Sequence, residues 1–484
     1  MRLSNPNHDV PAFGPCLFGR ARAKVPAHAL QAESIAGLRQ TFSPLIPEAR
    51  WGSQPLAADS RERVFTALIT FWAFLSQVLS VDSACRTAVR KVQAWWTLQG
   101  KGPLSANTSA YCQARNRLRN EMLEAIQQQL VRGLEDNVSS DPLGFGRRVK
   151  IVDGTACSMP DTVPNQALFP QPSNQKPGCG FPMLKLVGLF SLATGALLHA
   201  VYGPLRVHDV QLLRQLWNSL TKGDVLLADR GFCSFGCLAM LQQAGVDSLM
   251  RLHQRRPADF RRGQRLGKDD RLVAWTKPLR CPCRLSPEQF AALPETLTVR
   301  LLRVKPTVKG FRTQQLVLVT TLLDAVAYPA EALAALYLQR WGVELHFREL
   351  KTLLRLDVLR CRSPQMIHKE VLLHLIAYNL VRAVMQHAAR CHHVDLSRIS
   401  FKGTLETVQQ FAAPLQASGT CPRHRAALEK ELLRLIASDL VPWRPGRAEP
   451  RAKKRRPKNY QLLTRPRHAM ALTQHRCPHK APLT

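Results

Sequence analysis

The sequence predicts an α/β protein whose core lies in the middle of the chain, with helical regions on either side. Two stretches indicate the core: residues 147–155 and 224–232 each read as a short strand that ends at an aspartate and a glycine turn. A third observation indicates the helices, because apolar residues recur at three- and four-residue spacing between residues 60 and 134. Strands and helices in this succession are typical of a compact α/β core.

Five segments follow from this division, with boundaries where the pattern changes. We expect an all-helical N-terminal domain over residues 1–145, the first part of the core over 146–250, a β-rich insertion over 251–328, the second part of the core over 329–390, and a helical, basic C-terminal region over 391–484. The N-terminal helices are rich in arginine, so this domain could bind nucleic acid. The cations of residues 451–458 are typical of an arm that binds a polyanion.

The net charge is the strongest compositional signal. The 484 residues contain 68 Lys and Arg against 34 Asp and Glu, a formal net charge of +34. A surplus of that size predicts a polyanionic partner, and nucleic acid is the first candidate. An anionic membrane surface is the second candidate, but the longest apolar run, 186–198, is too short to span a bilayer. We therefore expect no membrane association.

Other features of the sequence indicate the cellular compartment and the cofactors to expect. The N-terminus has no apolar segment of the kind that directs export, so we expect that the protein is not exported. The 13 cysteines are odd in number and scattered, which is typical of reduced thiols in a cytoplasm. The sequence has no glycine-rich Walker motif, so we expect no nucleotide cofactor.

Within the core, the sequence predicts a hairpin, a helix and a second buried strand. Residues 184–202 read as two strands joined by a turn. Asp209 can cap a helix over residues 210–220, whose leucines form an apolar stripe. Further along, Ser363 and Pro364 form a good N-cap and first residue for another helix.

The stretch 337–355 reads as one amphipathic helix with a charged face. On a helical wheel that face carries Tyr337, Arg340, Glu344 and Lys351, with Arg348 on the same stripe and Trp341 beside it. A single carboxylate thus lies midway along a ridge of cations. The alternative is an ordinary solvated face with Glu–Arg and Glu–Lys ion pairs.

Three carboxylates could form a metal site. Asp153 and Asp229 each follow a predicted strand, and ligands bind at the carboxyl ends of strands in open α/β sheets. Taken singly, each aspartate has a simpler explanation as a turn residue. If Glu344 joined them from a flanking helix, the three would form an all-oxygen site that suits Mg²⁺ or Mn²⁺. Two such ions can catalyse displacement at a phosphodiester.

Three motifs follow one another along the chain. They are Asp153-Gly154-Thr155, then Ala228-Asp229-Arg230-Gly231, then Tyr337-x2-Arg340-x3-Glu344-x6-Lys351. This order and spacing resemble the DDE transposases of bacterial insertion sequences, specifically the insertion-sequence-four family with its Tyr-Arg-Glu-Lys signature. The resemblance covers about residues 150–385.

The resemblance implies a fold and a catalytic centre. The fold is a ribonuclease-H-like catalytic core that is interrupted between its second and third acidic residues by a mostly β insertion. The catalytic triad is Asp153, Asp229 and Glu344, which would hold two Mg²⁺ ions, with Mn²⁺ as a substitute. The activity is cleavage of DNA ends and their joining to target DNA, in several relatives through a hairpin on the transposon end.

The resemblance also implies how DNA is bound. Tyr337, Arg340 and Lys351 would contact phosphates at the transposon end, together with Arg348, and Trp341 could stack on a displaced base. The expected partners are double-stranded DNA, as terminal inverted repeats and as target, and a second copy of the chain in a synaptic complex. Such an enzyme works in the bacterial cytoplasm, on nucleoid DNA.

Two other functions stay open at this point. His253 and Arg256 match the His-x-x-Arg pattern of tyrosine recombinases, with Tyr337 as their nucleophile, although such a short pattern is common in an arginine-rich chain. A non-catalytic DNA-binding protein is the other alternative. Cys281 and Cys283 lack the spacing of a zinc site, as do the histidines and the cysteine within 475–479.

Overall fold

The computed structural model describes most of the chain. The described residues are 35–46, 64–80, 82–136, 138, 145–281, 285–305, 315–418, 421–442, 463–466 and 469–470. The basic run at 451–458, Cys283 and residues 475–479 lie outside them. Within the described part, no helix is both long enough and apolar enough to cross a bilayer.

Among the described residues, five α-helices precede the first strand. They are α1 (Ile35–Phe42), α2 (Ala67–Leu79), α3 (Cys85–Leu98), α4 (Ser109–Arg117) and α5 (Asn120–Glu135). The apolar spacing suggests one continuous helix over residues 110–134, but the extended backbone of Leu118 and Arg119 separates α4 from α5. Most of α2 is buried, and its apolar residues belong to a core that extends beyond the N-terminal helices.

The central part of the chain forms a mixed sheet with helices around it. Its elements are β1 (Val149–Ser158), α6 (Val163–Leu168), β2 (Met183–Ser191), β3 (Leu197–Pro204), α7 (Asp209–Gln215), β4 (Val225–Ala228), α8 (Phe235–Gln243) and β5 (Asp247–Arg251). Strands β1, β2 and β3 are antiparallel neighbours, which confirms the predicted hairpin. Strands β1, β4 and β5 are parallel neighbours.

Two details of this region differ from the prediction. Strand β1 does not end at Asp153, because its antiparallel partner β2 pairs with it as far as Ser158. Asp153 lies instead at the level where the parallel neighbour β4 ends. The N-cap of α7 is His208, whose ring accepts a hydrogen bond from the backbone of Val210, and Asp209 is the first helical residue.

The segment after β5 extends the same sheet. It contains β6 (Gln264–Gly267), β7 (Asp270–Thr276), α9 (Pro287–Ala291), β8 (Thr296–Val304) and β9 (Leu316–Thr320). Strand β9 pairs with β5, so the described strands form one nine-stranded sheet in the order β3-β2-β1-β4-β5-β9-β8-β7-β6. A fully buried Arg300 forms a bidentate pair with Asp270 between β8 and β7.

The remaining helices follow the sheet. They are α10 (Ala330–Gln339), α11 (Gly342–Arg348), a π-helical turn (Glu349–Leu353), α12 (Pro364–His392), α13 (Phe401–Ala417) and α14 (Pro422–Ser438). The predicted single helix over residues 337–355 is wrong, since it breaks at Arg340 and Trp341 and changes to π-helical geometry at Glu349. Helix α12 begins as predicted, with Ser363 at the N-cap and Pro364 in the first turn.

The core lies on both faces of the sheet. On one face the long helix α12 packs in a single apolar cluster with the N-terminal helices, α10, α11 and the C-terminal helices. On the other face α7 and α8 cover a second apolar cluster. Successive residues of β1 and β4 point to opposite faces of the sheet. Ile151 and Leu227 therefore belong to the cluster on the α12 face, and Val152 and Ala228 to the cluster under α7 and α8.

Candidate active site

The register of the sheet brings the two predicted aspartates together. Lys150 pairs with Leu226 and Ile151 with Leu227 in the parallel β1–β4 ladder. Two residues further along each strand, the same register sets Asp153 beside Asp229, and neighbouring strands are about 4.8 Å apart. Asp229 immediately follows the last residue of β4. This is the carboxyl edge of the parallel strands, where α/β proteins bind ligands.

Helix α11 presents the third acid to this edge. Its buried residues Val343 and Phe347 face the apolar cluster, and Phe347 packs edge-on against Phe190 of β2 with ring centroids 5.2 Å apart. This packing holds α11 against the sheet and leaves Glu344 and Arg348 exposed. The sequence predicted these exposed positions correctly, although the helix that carries them is much shorter than expected.

The electrostatic environment of Asp153 includes the other two acids. Burial raises the pKa of Asp153 to about 6, from an ordinary value of 3.8, and repulsion by Asp229 and Glu344 raises it as well. Two groups act in the opposite direction: the backbone amide of Gly154 donates to the Asp153 carboxylate at 2.8 Å, and Arg340 lies nearby. The ionised form of Asp153 is therefore less stable than that of an ordinary aspartate, because the side chain is buried near other carboxylates.

Arg340 and Tyr337 lie beneath this edge and away from solvent. A terminal nitrogen of Arg340 lies 3.6 Å from the Asp153 carboxylate, and the Arg340 side chain is 8% exposed. Tyr337 is buried, and burial raises the pKa of its hydroxyl. Trp341 is half-buried, with its ring 5.2 Å from the guanidinium of Arg340 and edge-on to Tyr337. These three side chains thus form one cation–aromatic cluster behind Asp153.

Lys351 reaches the same strand from the π-helical turn. Its ammonium group donates to the hydroxyl of Thr155 at 3.0 Å and to the carbonyl of Ala156 at 3.1 Å. Both acceptors lie in the part of β1 beyond Asp153. Among the five predicted DNA contacts, Arg348 is exposed, Trp341 and Lys351 are half-buried, and Tyr337 and Arg340 are buried.

The carboxylates fit a hard divalent cation by donor type. Asp153, Asp229 and Glu344 offer only oxygen ligands, which suit Mg²⁺ or Mn²⁺. Adjacent carboxylates also favour a cation because it relieves their repulsion. Among the described residues, however, no group of three or more Asp, Glu, His and Cys side chains is arranged so that it could hold an ion. The aspartates are adjacent, but the triad does not converge.

The sequence missed a fourth carboxylate at this edge. A methyl group placed on Gly154 would come within 3.3 Å of the Asp209 carboxylate, so Asp209 lies directly beside the first motif. Asp209 also forms an ion pair with Lys185 of β2 at 3.2 Å. The prediction treated Asp209 only as a helix cap. It follows β3, which runs in the same direction as β1, so it lies at the same edge of the sheet but on the α7–α8 face. That position after a strand was the signal that could have found it.

The structure gives no support to the alternative sites. Tyr337 is too buried to act as an exposed nucleophile, and Arg256 stacks on Trp275 with 3.9 Å between its guanidinium and the ring. Cys281 is exposed. His374, which the sequence placed on α12, is buried and its Nδ1 lies 2.7 Å from the carbonyl of Glu370, as expected for a core histidine.

Comparisons with known proteins point to one family. A family model described as a transposase DDE domain matches residues 144–380, which include every predicted site residue. The transposase InsG for insertion sequence element IS4 of Escherichia coli K12 is 27% identical over 417 residues, which are 85% of this chain and 90% of InsG.

Other relatives match over shorter lengths or at lower identity. The transposase for insertion sequence element IS421 of Escherichia coli is 28% identical over 193 residues, 34% of this chain and 52% of that protein. Among solved structures, a piggyBac transposase in a synaptic complex with hairpin DNA aligns with a TM-score of 0.43 at 10% identity, over 84% of each chain.

Proposed function

Since the chain belongs to the DDE transposases of insertion sequences, in the family of the IS4 element, we propose that it carries out cut-and-paste DNA transposition. In this proposal the protein binds the terminal inverted repeats of its insertion sequence, cleaves the DNA ends and joins them to target DNA. Asp153, Asp229 and Glu344 are the catalytic residues.

One observation carries the proposal: Asp153 and Asp229 are side by side at the carboxyl edge of the sheet, with Glu344 close enough to raise the pKa of Asp153. Neighbouring carboxylates repel one another, and a bound cation relieves that repulsion. The exposed arginine of the same helix, Arg348, lies one turn beyond Glu344, where a phosphate next to the reacting bond could meet it.

The three carboxylates would hold the two Mg²⁺ ions. When bound, the ions supply activation of a water or a 3′-hydroxyl and stabilisation of the leaving oxygen. The chain's own residues position the components. Arg340 offsets part of the charge of Asp153 from behind, and Lys351 fixes the continuation of β1. Arg348 and Trp341 are the predicted contacts with enough exposure to meet a strand directly, through a phosphate and a base.

The fold supports the same proposal. Three antiparallel strands followed by two parallel ones, β1–β5, suit a ribonuclease-H-like core, and β6–β9 suit the insertion between the second and third acids. The large positive net charge suits a DNA partner. We extend the proposal to a homodimer in a synaptic complex, which rests on the family alone.

The decisive experiment is cleavage of duplexes that carry the element's terminal repeats, with Mg²⁺, followed by analysis of the products for 3′-hydroxyl nicks and hairpins. Asp153→Asn, Asp229→Asn and Glu344→Gln should each abolish cleavage and leave end binding largely intact. Glu406→Gln on α13, an exposed acid paired with Lys402, is the matched control and should cleave normally. Cleavage that persists in EDTA, with a phosphotyrosine adduct, would identify a tyrosine recombinase instead.

A further inference from the structure

A basic cavity of about 440 Å³ adjoins the acidic edge on the opposite face from Lys351. Its lining includes Gly231, which follows Asp229, and His253 and Arg255 from the loop after β5. The starts of α7 and α8 contribute His208 and Ser234. The cavity thus lies over the carboxyl ends of β4 and β5, next to the carboxyl edge that carries Asp153 and Asp229.

The charge of the lining is uniform in sign. Arg214, Arg255 and Arg256 contribute guanidinium groups, and none of the described lining residues carries a carboxylate. Arg255 is exposed, and neither it nor Arg256 forms an ion pair with a described carboxylate. The nearby Asp259 pairs instead with Arg261, at 3.1 Å, and with Arg262. Cations gathered in a concave site without acids favour an anionic ligand.

The fold orders the guanidinium of Arg256 and the backbone of Arg255. The guanidinium of Arg256 lies 3.9 Å from the ring of Trp275, and its backbone amide donates to the carbonyl of His253 at 2.9 Å. The ring of His253 in turn accepts from the amide of Arg255 at 3.2 Å. The loop after β5 is therefore a structured turn that brings two consecutive arginines to the cavity. The guanidinium of Arg256 is ordered by Trp275, so it loses less entropy when it binds phosphate.

We infer that this cavity binds a backbone phosphate of the DNA strand that crosses the acidic edge, an inference that rests on the proposed function. Asp153 and Arg340 lie on the α12 face of the sheet, whereas Val210 and Phe235 of the cavity belong to the apolar cluster of the α7–α8 face. A strand that passes over the acids from Lys351 leads towards the cavity. The size of the cavity accommodates a phosphate and its sugar, and Arg255 supplies an exposed charge at the site.

The salt dependence of DNA binding tests this inference. In fluorescence anisotropy titrations of a labelled repeat-end duplex without metal, Arg255→Ala should weaken binding several-fold. The slope of log Kd against log salt should fall by about 0.9 for one lost phosphate contact. Arg255→Ala with Arg256→Ala should lower the slope further. The control is Arg265→Ala, an exposed arginine of β6 at the far edge of the sheet, which should leave affinity and slope unchanged.

Three outcomes separate this inference from the proposed function. If the single and double variants keep the wild-type slope while the wild type cleaves DNA ends, the cavity does not bind a strand phosphate and the inference falls alone. If calorimetry shows that Arg255→Ala loses inorganic phosphate but keeps its DNA affinity, the cavity serves a free anion, which also overturns the inference. If Asp153→Asn still cleaves the ends, the assignment of the catalytic triad fails, and a reduced slope for Arg255→Ala would still support the cavity as a DNA contact.

Discussion

The guanidinium of Arg340 lies 3.6 Å from the carboxylate of Asp153, and both side chains are largely shielded from solvent. Arg340 lowers the pKa of Asp153, whereas burial and the two neighbouring acids raise it, and the balance leaves that pKa at about 6. The charged form of the carboxylate central to the proposed chemistry is therefore less favourable than that of an ordinary aspartate, and a cation nearby stabilises it.

The first prediction concerns the pH dependence of stability in EDTA. The pKa of Asp153 is higher in the folded protein than its ordinary value of 3.8, so the folded carboxyl binds its proton more tightly than the unfolded one. Asp153 therefore stabilises the fold at acid pH, and that contribution is lost as pH rises through about 6. Asp153→Asn should therefore change the free energy of unfolding more favourably at pH 8 than at pH 4. The difference between the two effects should be roughly 1–3 kcal/mol.

Urea unfolding of both proteins at the two pH values measures this difference. An effect of Asp153→Asn that is equal at pH 4 and pH 8 would contradict the raised pKa.

The second prediction concerns the pairing of Arg340 with Asp153. Without the guanidinium, the charged carboxylate loses its nearest compensation, so Arg340→Gln should destabilise the protein at pH 8. The stabilisation given by Asp153→Asn should then be larger in the Arg340→Gln background than in the wild type, by about 1 kcal/mol. A double-mutant cycle at pH 8 measures this coupling. A coupling energy of zero would show that the two groups do not interact in solution.

Particular residues show how far the sequence could predict this site. Residues 337–355 gave the correct exposed acid, Glu344, because its neighbours Val343 and Phe347 are apolar and set the buried side. The break at Arg340 and Trp341 was not predictable from periodicity, since the burial of Arg340 against Asp153 is a contact between distant parts of the chain. Local propensity is a weak prior where such tertiary contacts decide.

The strand that carries Asp153 also shows where a local sequence pattern fails to predict the structure. Aspartate and glycine are rare inside strands, so the local pattern predicted an end at Asp153 and Gly154. Pairing with β2 carries β1 on to Ser158. The local pattern therefore could not show that β2 continues to pair with β1 beyond Asp153, after the parallel neighbour β4 has ended. Asp209 escaped notice for a similar reason, because its closeness to Gly154 depends on the folded chain.

The third prediction concerns the turn between β2 and β3. Gly195 has a φ of +65°, and a Cβ there would overlap the guanidinium of Arg382. Arg382 donates from Nε to the carbonyl of Thr194 at 3.1 Å, which ties α12 to the hairpin. Gly195→Ala should thus lower the free energy of unfolding by about 1–2 kcal/mol through backbone strain. The displacement of Arg382 should add a further loss.

Gly100→Ala is the matched control for that substitution. Gly100 has a φ of +69°, but a Cβ there would meet no atom within 4 Å. Denaturant unfolding of Gly100→Ala should therefore show only the loss of stability that backbone strain causes. Equal losses for the two substitutions would mean that Arg382 moves aside freely.

The fourth prediction concerns the buried ion pair of the segment after β5. Arg300 is fully buried and donates to both carboxylate oxygens of Asp270, at 2.9 and 2.6 Å. Asp270→Ala would leave a buried guanidinium without its carboxylate and should cost about 3–5 kcal/mol. Glu431→Ala removes the partner of Arg434 from an exposed, solvent-screened pair and should cost far less. Thermal or urea unfolding compares the two variants, and similar losses would contradict the burial of the Arg300 pair.

The last prediction separates a structural role of Lys351 from a role in DNA cleavage. Lys351→Met keeps the apolar stem but removes the ammonium group that donates to Thr155 and Ala156 of β1. We expect a loss of stability of about 1–2 kcal/mol, as for a lost charged hydrogen bond, and a fall in end cleavage of at least about tenfold. Thr155→Val leaves the bond to the Ala156 carbonyl and should reduce cleavage much less. Single-turnover cleavage and urea unfolding distinguish the roles, since a variant that is destabilised but cleaves at the wild-type rate would make Lys351 purely structural.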